Sequence, residues 1–362
     1  MSYLPRGTLI GGRYRTEEVE PIKSGGMQYV YRATDTLLER PVALKTPKPD
    51  NDKRFERSAR FSARINHANA TRTLDYVEEG GSLYLIEEWV EGQDLGKILK
   101  RVKRFDPYMS AYVLHALARA LCVMHEVEVV HRDLKPSNIM AVGGLELTGI
   151  KVTDFGVANL AEGEIDRGVA GGMLTITGSR TLIGALPYLA PEILRRRKTV
   201  TKSADIWAVG ALTFHMMTGQ TPFGDELEAV AEILKGNVPP LPAAKEAQPQ
   251  YDGLYQEIYG IVRACLQADQ DKRPDARELL RLCGRLCYPI AEREIGTVTQ
   301  YHGNYLGFAS AHSDDKGGVF FHLDSVLGSR RPSIGGEIWF SRHPGSPKDR
   351  AHPVVTLLPE EE

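Results

Sequence analysis

The segment His131-Arg132-Asp133-Leu134-Lys135-Pro136-Ser137-Asn138 constrains this chain more than any other. It sets a carboxylate five residues before an amide on one loop, with an ammonium between them. Sixteen residues after Asn138 comes Asp154-Phe155-Gly156, directly behind the apolar, strand-like run Ile150-Lys151-Val152. Far upstream, Val42-Ala43-Leu44-Lys45 puts a second ammonium on a strand. Charged groups placed inside apolar runs are costly unless the fold brings them together. A structure for this sequence must therefore gather residues separated by more than a hundred positions.

The rest of the chain sorts into three stretches. Residues 12–90 read as β-rich with one helix. Tyr29-Val30-Tyr31, Val42-Ala43-Leu44 and Leu83-Tyr84-Leu85-Ile86 are short apolar or aromatic runs bounded by Gly, Pro or Asp, and Phe55, Ala59, Ser62 and Ile65 recur at helical spacing. From about 108 to 285 the pattern is helical. Residues 109–128 form one long periodic segment, and residues 203–218 are apolar almost all round, as in a helix buried in a large core. A Pro-rich loop follows at 239–249, and the helical pattern stops near Cys287-Tyr288-Pro289. Residues 295–358 carry short alternating runs separated by Gly, Asp, Ser and Pro, which predicts a small all-β domain. Residues 1–7 and 359–362 are expected to be frayed tails.

Composition removes several classes of function. Lys and Arg number 45 against 47 Asp and Glu, so overall charge holds the chain to neither nucleic acid nor membrane. The four cysteines form no CxxC pair, which argues against a disulfide scaffold or a Cys-rich zinc site. The N-terminus MSYLPRGTLIGGRYR has no apolar h-region, and no run approaches the ~18 apolar residues of a bilayer span. The expectation is a cytoplasmic protein with no membrane partner.

Read together, the charged segments fit phosphoryl transfer. Asp133 suits the proton acceptor for a substrate hydroxyl, and Asp154 and Asn138 supply oxygens for Mg²⁺. Lys45 suits the α- and β-phosphates of ATP, and Lys135, two residues past the base, the γ-phosphate as charge develops there. With Ala190-Pro191-Glu192, Asp205-Ile206-Trp207 and Arg273 following in order, residues 8–288 resemble the eukaryotic-like protein kinases, most closely the bacterial serine/threonine branch. The resemblance implies an α+β two-lobed protein-kinase fold, with an N-lobe over 8–90 and a C-lobe over 91–288. It implies ATP and Mg²⁺ as cofactors, a protein substrate, and an ATP site built from Gly25, Gly26, Val30, Ala43, Lys45, Glu88 and Val90. It also implies a Glu192–Arg273 salt bridge, Asp205 as anchor of the catalytic loop, and Lys135 as a mark of the Ser/Thr class. Between the DFG and APE segments, Thr175, Thr177, Ser179 and Thr181 are candidate autophosphorylation sites, with Arg132 placed to meet a phosphate there.

The chain departs from the family pattern in four places, the first of them a loop with two changed positions. Lys23 and Gln28 stand where the outer glycines of the phosphate-covering loop belong, and only the central Gly25 keeps its place. Ser58 occupies the position of the helix glutamate that partners the strand lysine. Glu56 is two residues earlier, about 200° away round the helix. Glu87 falls where an apolar residue is usual, and we expect it to point at Lys45 in place of the helix glutamate; otherwise it sits neutral or solvated in an inactive pocket. Ala185 replaces a threonine that bonds the catalytic Asp and Lys in Ser/Thr members.

Residues 295–358 carry a second resemblance, to the cold-shock domains, which are small all-β OB-type barrels. Tyr305-Leu306-Gly307-Phe308-Ala309 is similar to their first RNA-binding motif and Val319-Phe320-Phe321-His322-Leu323 to their second. Strand alternation puts Phe308 on one face with Leu306, and Phe320 with His322. In that family the face stacks bases of single-stranded RNA or DNA. Gln300 stands where a stacking Trp is usual, and Leu306 and Leu323 replace phenylalanines. Arg330, Arg331, Arg342, Lys348 and Arg350 are candidates for a phosphate-facing patch. The leading expectation is a Ser/Thr kinase regulated or targeted by this barrel. The alternatives are a nucleotide-binding pseudokinase acting as scaffold or switch, and a binding protein whose working part is the barrel with the kinase fold as its support; for the barrel itself, the alternative to nucleic acid is docking on its own kinase domain or on a partner protein.

Overall fold

The computed structural model describes residues 3–18, 20–25, 28–49, 51–155, 184–195, 201–241, 249–289, 292–312, 318–328, 331–346 and 348–359. The chain begins with a twisted antiparallel sheet of β1 (Leu9–Ile10), β2 (Tyr14–Thr16), β4 (Gln28–Asp35), β5 (Arg40–Pro47), β7 (Ser82–Glu88) and β6 (Thr73–Glu79), paired in that order, with β3 (Lys23–Gly25) alongside β4. Side chains on a strand alternate faces. Tyr31, Ala33, Val42, Leu44, Tyr84 and Ile86 therefore close one core on one side of the sheet. On the other side Leu85 packs against Phe55 and Ala59 of α1 (Asp52–Ser62). The helical spacing extends past the observed end of α1, because Ile65 is buried in the turn that follows it.

The helical body is built round the Lys202–Thr218 helix, buried on nearly every side, as its all-round apolar pattern requires. Against it packs α3 (Pro107–Glu126), which Asp106 caps by accepting from the N–H groups of Tyr108 and Met109, both at 3.1 Å. The expected Glu192–Arg273 pair is present as a buried two-pronged bridge of 2.7 and 2.8 Å. Between sheet and helices lies a small sheet of β8 (Gly92–Asp94), β9 (Ile139–Val142) and β10 (Gly149–Val152). No helix among the described residues is long and apolar enough to cross a membrane.

After the Ala276–Cys283 helix the chain forms a closed five-stranded barrel: β11 (Arg293–His302), β12 (Leu306–Ala311), β13 (Gly318–His322), β15 (Arg350–Thr356) and β14 (Glu337–His343), in that spatial order. Its interior holds Val298, Val319, Phe321, Ile338, Phe340 and Val354. Strand β14 is buried on both faces over Ile338–Ser341, which a free-standing barrel strand would not be. The outward residues Trp339 and Val355 belong to the helical body's core instead. Trp339 is fully buried, lies 5.9 Å from the Phe105 ring, and donates its Nε1–H to the Leu145 carbonyl at 2.5 Å. Arg293 reaches the buried carboxylate of Asp106. Arg101 bonds Glu337 at 2.8 Å, and its carbonyl accepts from Leu358 N–H at 2.8 Å.

Removing a buried tryptophan costs about 3–5 kcal/mol. Trp339→Ala is expected to lower stability by that order in urea unfolding, with barrel and helical body still melting together. Two separate transitions in the wild-type chain would contradict the shared core.

Candidate active site

Strand register positions the central ion pair. Lys45 on β5 lies opposite Leu85 on β7, and Ala43 opposite Glu87. Lys45 and Glu87 are thus diagonal neighbours on one face, within reach of long side chains. Lys45 Nζ sits 2.7 Å from Glu87 Oε2 and 2.8 Å from Asp154 Oδ1, and all three groups are largely buried. Burial alone would push the lysine down, but Asp154 and Glu87 hold it above the ordinary lysine range. Burial pushes Glu87 up, and Lys45 draws it only part of the way back. Ser58 faces inward from α1 and donates to the Phe155 carbonyl. Glu56 points away and pairs with Arg60 at 2.6 Å.

A hairpin brings the remaining acids together. Ile139 pairs with Val152, so Asn138 and Thr153 meet at the open end, where Thr153 N–H donates to the Asn138 carbonyl at 2.9 Å. Asp154 follows immediately, in the left-handed region at φ 62° that Asp tolerates better than most residues. The Asn138 amide nitrogen bonds the Asp133 carbonyl at 2.8 Å and its Oδ2 at 3.0 Å. Lys135 Nζ is 2.9 Å from Asp133 Oδ2. From below, Asp205 accepts the backbone N–H groups of His131 and Arg132 at 2.8 and 2.7 Å and contacts His125 Nε2 at 2.9 Å. Burial pushes Asp205 up, yet the hydrogen bond and charge of His125, with the Arg132 amide, hold it below the usual carboxylate value.

Lys45, Glu87 and Asp154 line a cleft of about 380 Å³ between sheet and helical body, with Ser137 and Thr153 beside Asn138 on its floor. Val30, Ala43, Lys45, Glu87, Glu88, Val90 and Asp154 all border it, with Met140 and Thr71. Gly25 ends β3 opposite Gln28, whereas Gly26 lies outside the described residues, as do Thr175, Thr177, Ser179 and Thr181. Sequence reasoning missed one contact here: Gln28 Nε2 donates to Asp154 Oδ1 at 2.8 Å. Period-two alternation from Val30 would have pointed Gln28 into the cleft.

The donor set fits a hard cation. Asp154 offers carboxylate oxygen, and Asn138, its nitrogen committed to Asp133, presents Oδ1. Among the described residues no group of three or more His, Cys, Asp or Glu could hold a metal by itself. Mg²⁺ takes one or two protein ligands and fills its shell with phosphates and water, a number that Asp154 and Asn138 supply.

On the barrel, β12 and β13 pair Leu306 with His322 and Phe308 with Phe320, all turned outward. Tyr305 stacks on His322 at 5.8 Å, Lys348 Nζ lies 5.8 Å from the Phe308 ring, and the Arg350 guanidinium lies 5.0 Å from that of Phe320. Gln300 is exposed opposite Phe308, and Leu323 packs against the barrel core. Arg342 does not join a phosphate-facing patch: it is buried and bonded to Glu294 at 3.0 Å and Asp349 at 3.3 Å, because two carboxylates flank it on the closing strands. Arg331 stacks on Tyr301, and Arg330 lies outside the described residues.

A family profile of the protein kinase domain matches residues 16–282. The chain is 34% identical over 278 residues to serine/threonine-protein kinase PrkC of Bacillus subtilis, covering 75% of this chain and 40% of that protein. It is 32% identical over 286 residues to PknA of Corynebacterium glutamicum, covering 75% and 55%. It thus spans about half the length of these curated relatives, or less. The crystal structure of Rad53 residues 1–466 in complex with AMP-PNP superposes with a TM-score of 0.57 at 21% identity, over 74% of this chain and 64% of that one, a likeness of fold alone.

A double-mutant cycle of Lys45→Met and Glu87→Leu, read by chemical denaturation, is expected to give a coupling of ~0.5–3 kcal/mol. A coupling of zero would remove Glu87 as the lysine's partner.

Proposed function

The chain belongs to the protein kinase family, and on that premise we propose that it is an ATP- and Mg²⁺-dependent serine/threonine kinase acting on protein hydroxyls. The observation that carries this is one bonded constellation: Lys45 and Asp154 pair in the cleft, Thr153 beside Asp154 bonds Asn138, and Asn138 and Lys135 both hold Asp133. Asp133 accepts the substrate hydroxyl proton as its oxygen attacks the γ-phosphorus and the bond to the β-phosphate oxygen breaks. Asn138 and Lys135 fix the Asp133 carboxylate, so it need not reorganise when the proton arrives. Ala185 offers no hydroxyl, and Lys135 reaches Asp133 without one. Mg²⁺ neutralises phosphate charge when bound, and Asp154 and Asn138 would hold it. Glu87 takes the part of the missing helix glutamate by keeping Lys45 charged and aimed at the cleft.

The test is phosphate incorporation from Mg²⁺-ATP into the chain itself and into a generic basic protein. Asp133→Asn is expected to lose about 10²–10⁴-fold, the usual contribution of a general base. No incorporation by wild type, with nucleotide binding intact, would make the chain a pseudokinase scaffold or switch instead.

For the barrel we propose an OB-type, cold-shock-like module that binds single-stranded nucleic acid and thereby targets or regulates the kinase. The closed order β11-β12-β13-β15-β14 and the outward Phe308, Phe320 and His322 beside Lys348 and Arg350 support this reading. Phe308→Ala or Phe320→Ala is expected to weaken binding of a single-stranded RNA or DNA oligomer by about 1–3 kcal/mol each, and added salt to weaken it further. Binding that is salt-independent, or unmoved by either change, would rule the face out.

A further inference from the structure

Gln28 takes the place of a loop glycine and puts an amide where a glycine would put nothing. Its Nε2 donates to Asp154 Oδ1 at 2.8 Å, the same oxygen that Lys45 Nζ meets at 2.8 Å. A dication drawing on that oxygen must compete with donors already there. Lys45 is the harder of the two to displace, since it is buried and also bound to Glu87 at 2.7 Å. Gln28 is neutral, only partly buried, and sits at the first position of β4, paired with Pro47 on one side and Gly25 on the other.

We infer that Gln28 is a latch on Asp154: it positions the carboxylate in the metal-free protein and must let go for Mg²⁺ to bind with nucleotide. Gln28 is thus a positioning residue that sets how much Mg²⁺ the site requires. The inference rests on the nucleotide-site reading above and adds to it a residue that acts through Asp154. A hydrogen bond to a charged group, once removed as a competitor, corresponds to a change of about tenfold or more in the competing equilibrium.

The experiment uses the full-length chain and a fluorescent ATP analogue, titrated to equilibrium without metal and then across Mg²⁺ concentrations. Gln28→Met keeps length and bulk but cannot donate. It is expected to lower the Mg²⁺ concentration for half-maximal binding about tenfold. Gln28→Glu also removes the donor and adds an oxygen beside Asp154, so it is expected to lower the requirement at least as far. Thermal unfolding of each variant checks that the fold persists. An unchanged or higher Mg²⁺ requirement in both variants would overturn the latch. Equal weakening with and without metal would overturn it too, by making Gln28 a phosphate contact. A wild-type chain that binds no nucleotide under any condition would overturn the nucleotide site itself, and the latch with it.

Discussion

A lysine ammonium buried between a sheet and a helical body must be neutralised from within the protein, and the arrangement of the cleft follows from how that is done. Lys45 has two carboxylates at hydrogen-bonding distance, one from the adjacent strand and one from the hairpin below. Because Glu87 sits diagonally across one sheet, the ion pair is fixed by strand register, independently of where α1 lies. That explains Ser58. A glutamate there would bring a third carboxylate to one lysine, and burying it without a cation of its own would be expensive. The neutral Ser58 hydroxyl instead ties α1 to the Phe155 carbonyl, beside Asp154. The two substitutions are one solution to one charge problem.

The hairpin carrying Asn138 and Asp154 is held at both ends. Its open end is fixed through His131 and Arg132 to Asp205, and through His131 Nε2 to the Thr153 carbonyl at 2.9 Å. Its tip is held from outside the matched kinase region, by Trp339 of the barrel on the Leu145 carbonyl. The barrel also grips the connection from α2 (Leu95–Val102) to α3, where Arg293 neutralises the same Asp106 that caps α3. Removing either partner would leave a buried charge without its counter-ion. The barrel is therefore part of the structure that supports the catalytic loop as well as an appended module.

Elements with one unambiguous period were legible in the sequence. The 203–218 segment reads as a buried helix because no face of it is polar, and the runs at Val42 and Leu83 read as strands because they are short, apolar or aromatic, and bounded by Gly, Pro or Asp. Distances were not legible. Nothing in the spacing of Gln28 and Asp154 says that an amide and a lysine will share one carboxylate oxygen, since the contact depends on where strand pairing sets the start of β4 above the hairpin. Arg342 was misread for a similar reason. Its neighbours in space, Glu294 and Asp349, come from two other segments, and a basic residue in a strand looks the same whether it faces solvent or two acids. Trp339 stood inside a run already assigned to a strand, and only the apolar stretch Ile338-Trp339-Phe340 hinted that both faces were covered.

The alternation that hid Trp339 also separates the barrel's two roles. On β14 and β15 the outward side chains Trp339 and Val355 are spent on the helical body. On β12 and β13 the outward side chains Phe308, Phe320 and His322 stay partly accessible, with Lys348 and Arg350 beside them. One closed sheet of five strands thus docks through β14 and β15 and presents β12 and β13. The presented strands lie apart from the Trp339 seam, and β13 is bonded to the start of β15, since Phe320 N–H donates to the Asp349 carbonyl at 3.0 Å. From β15 the ladder continues to β14 and so to the residue that holds the catalytic hairpin's tip. The presented strands are thus joined to that hairpin by a short run of hydrogen bonds.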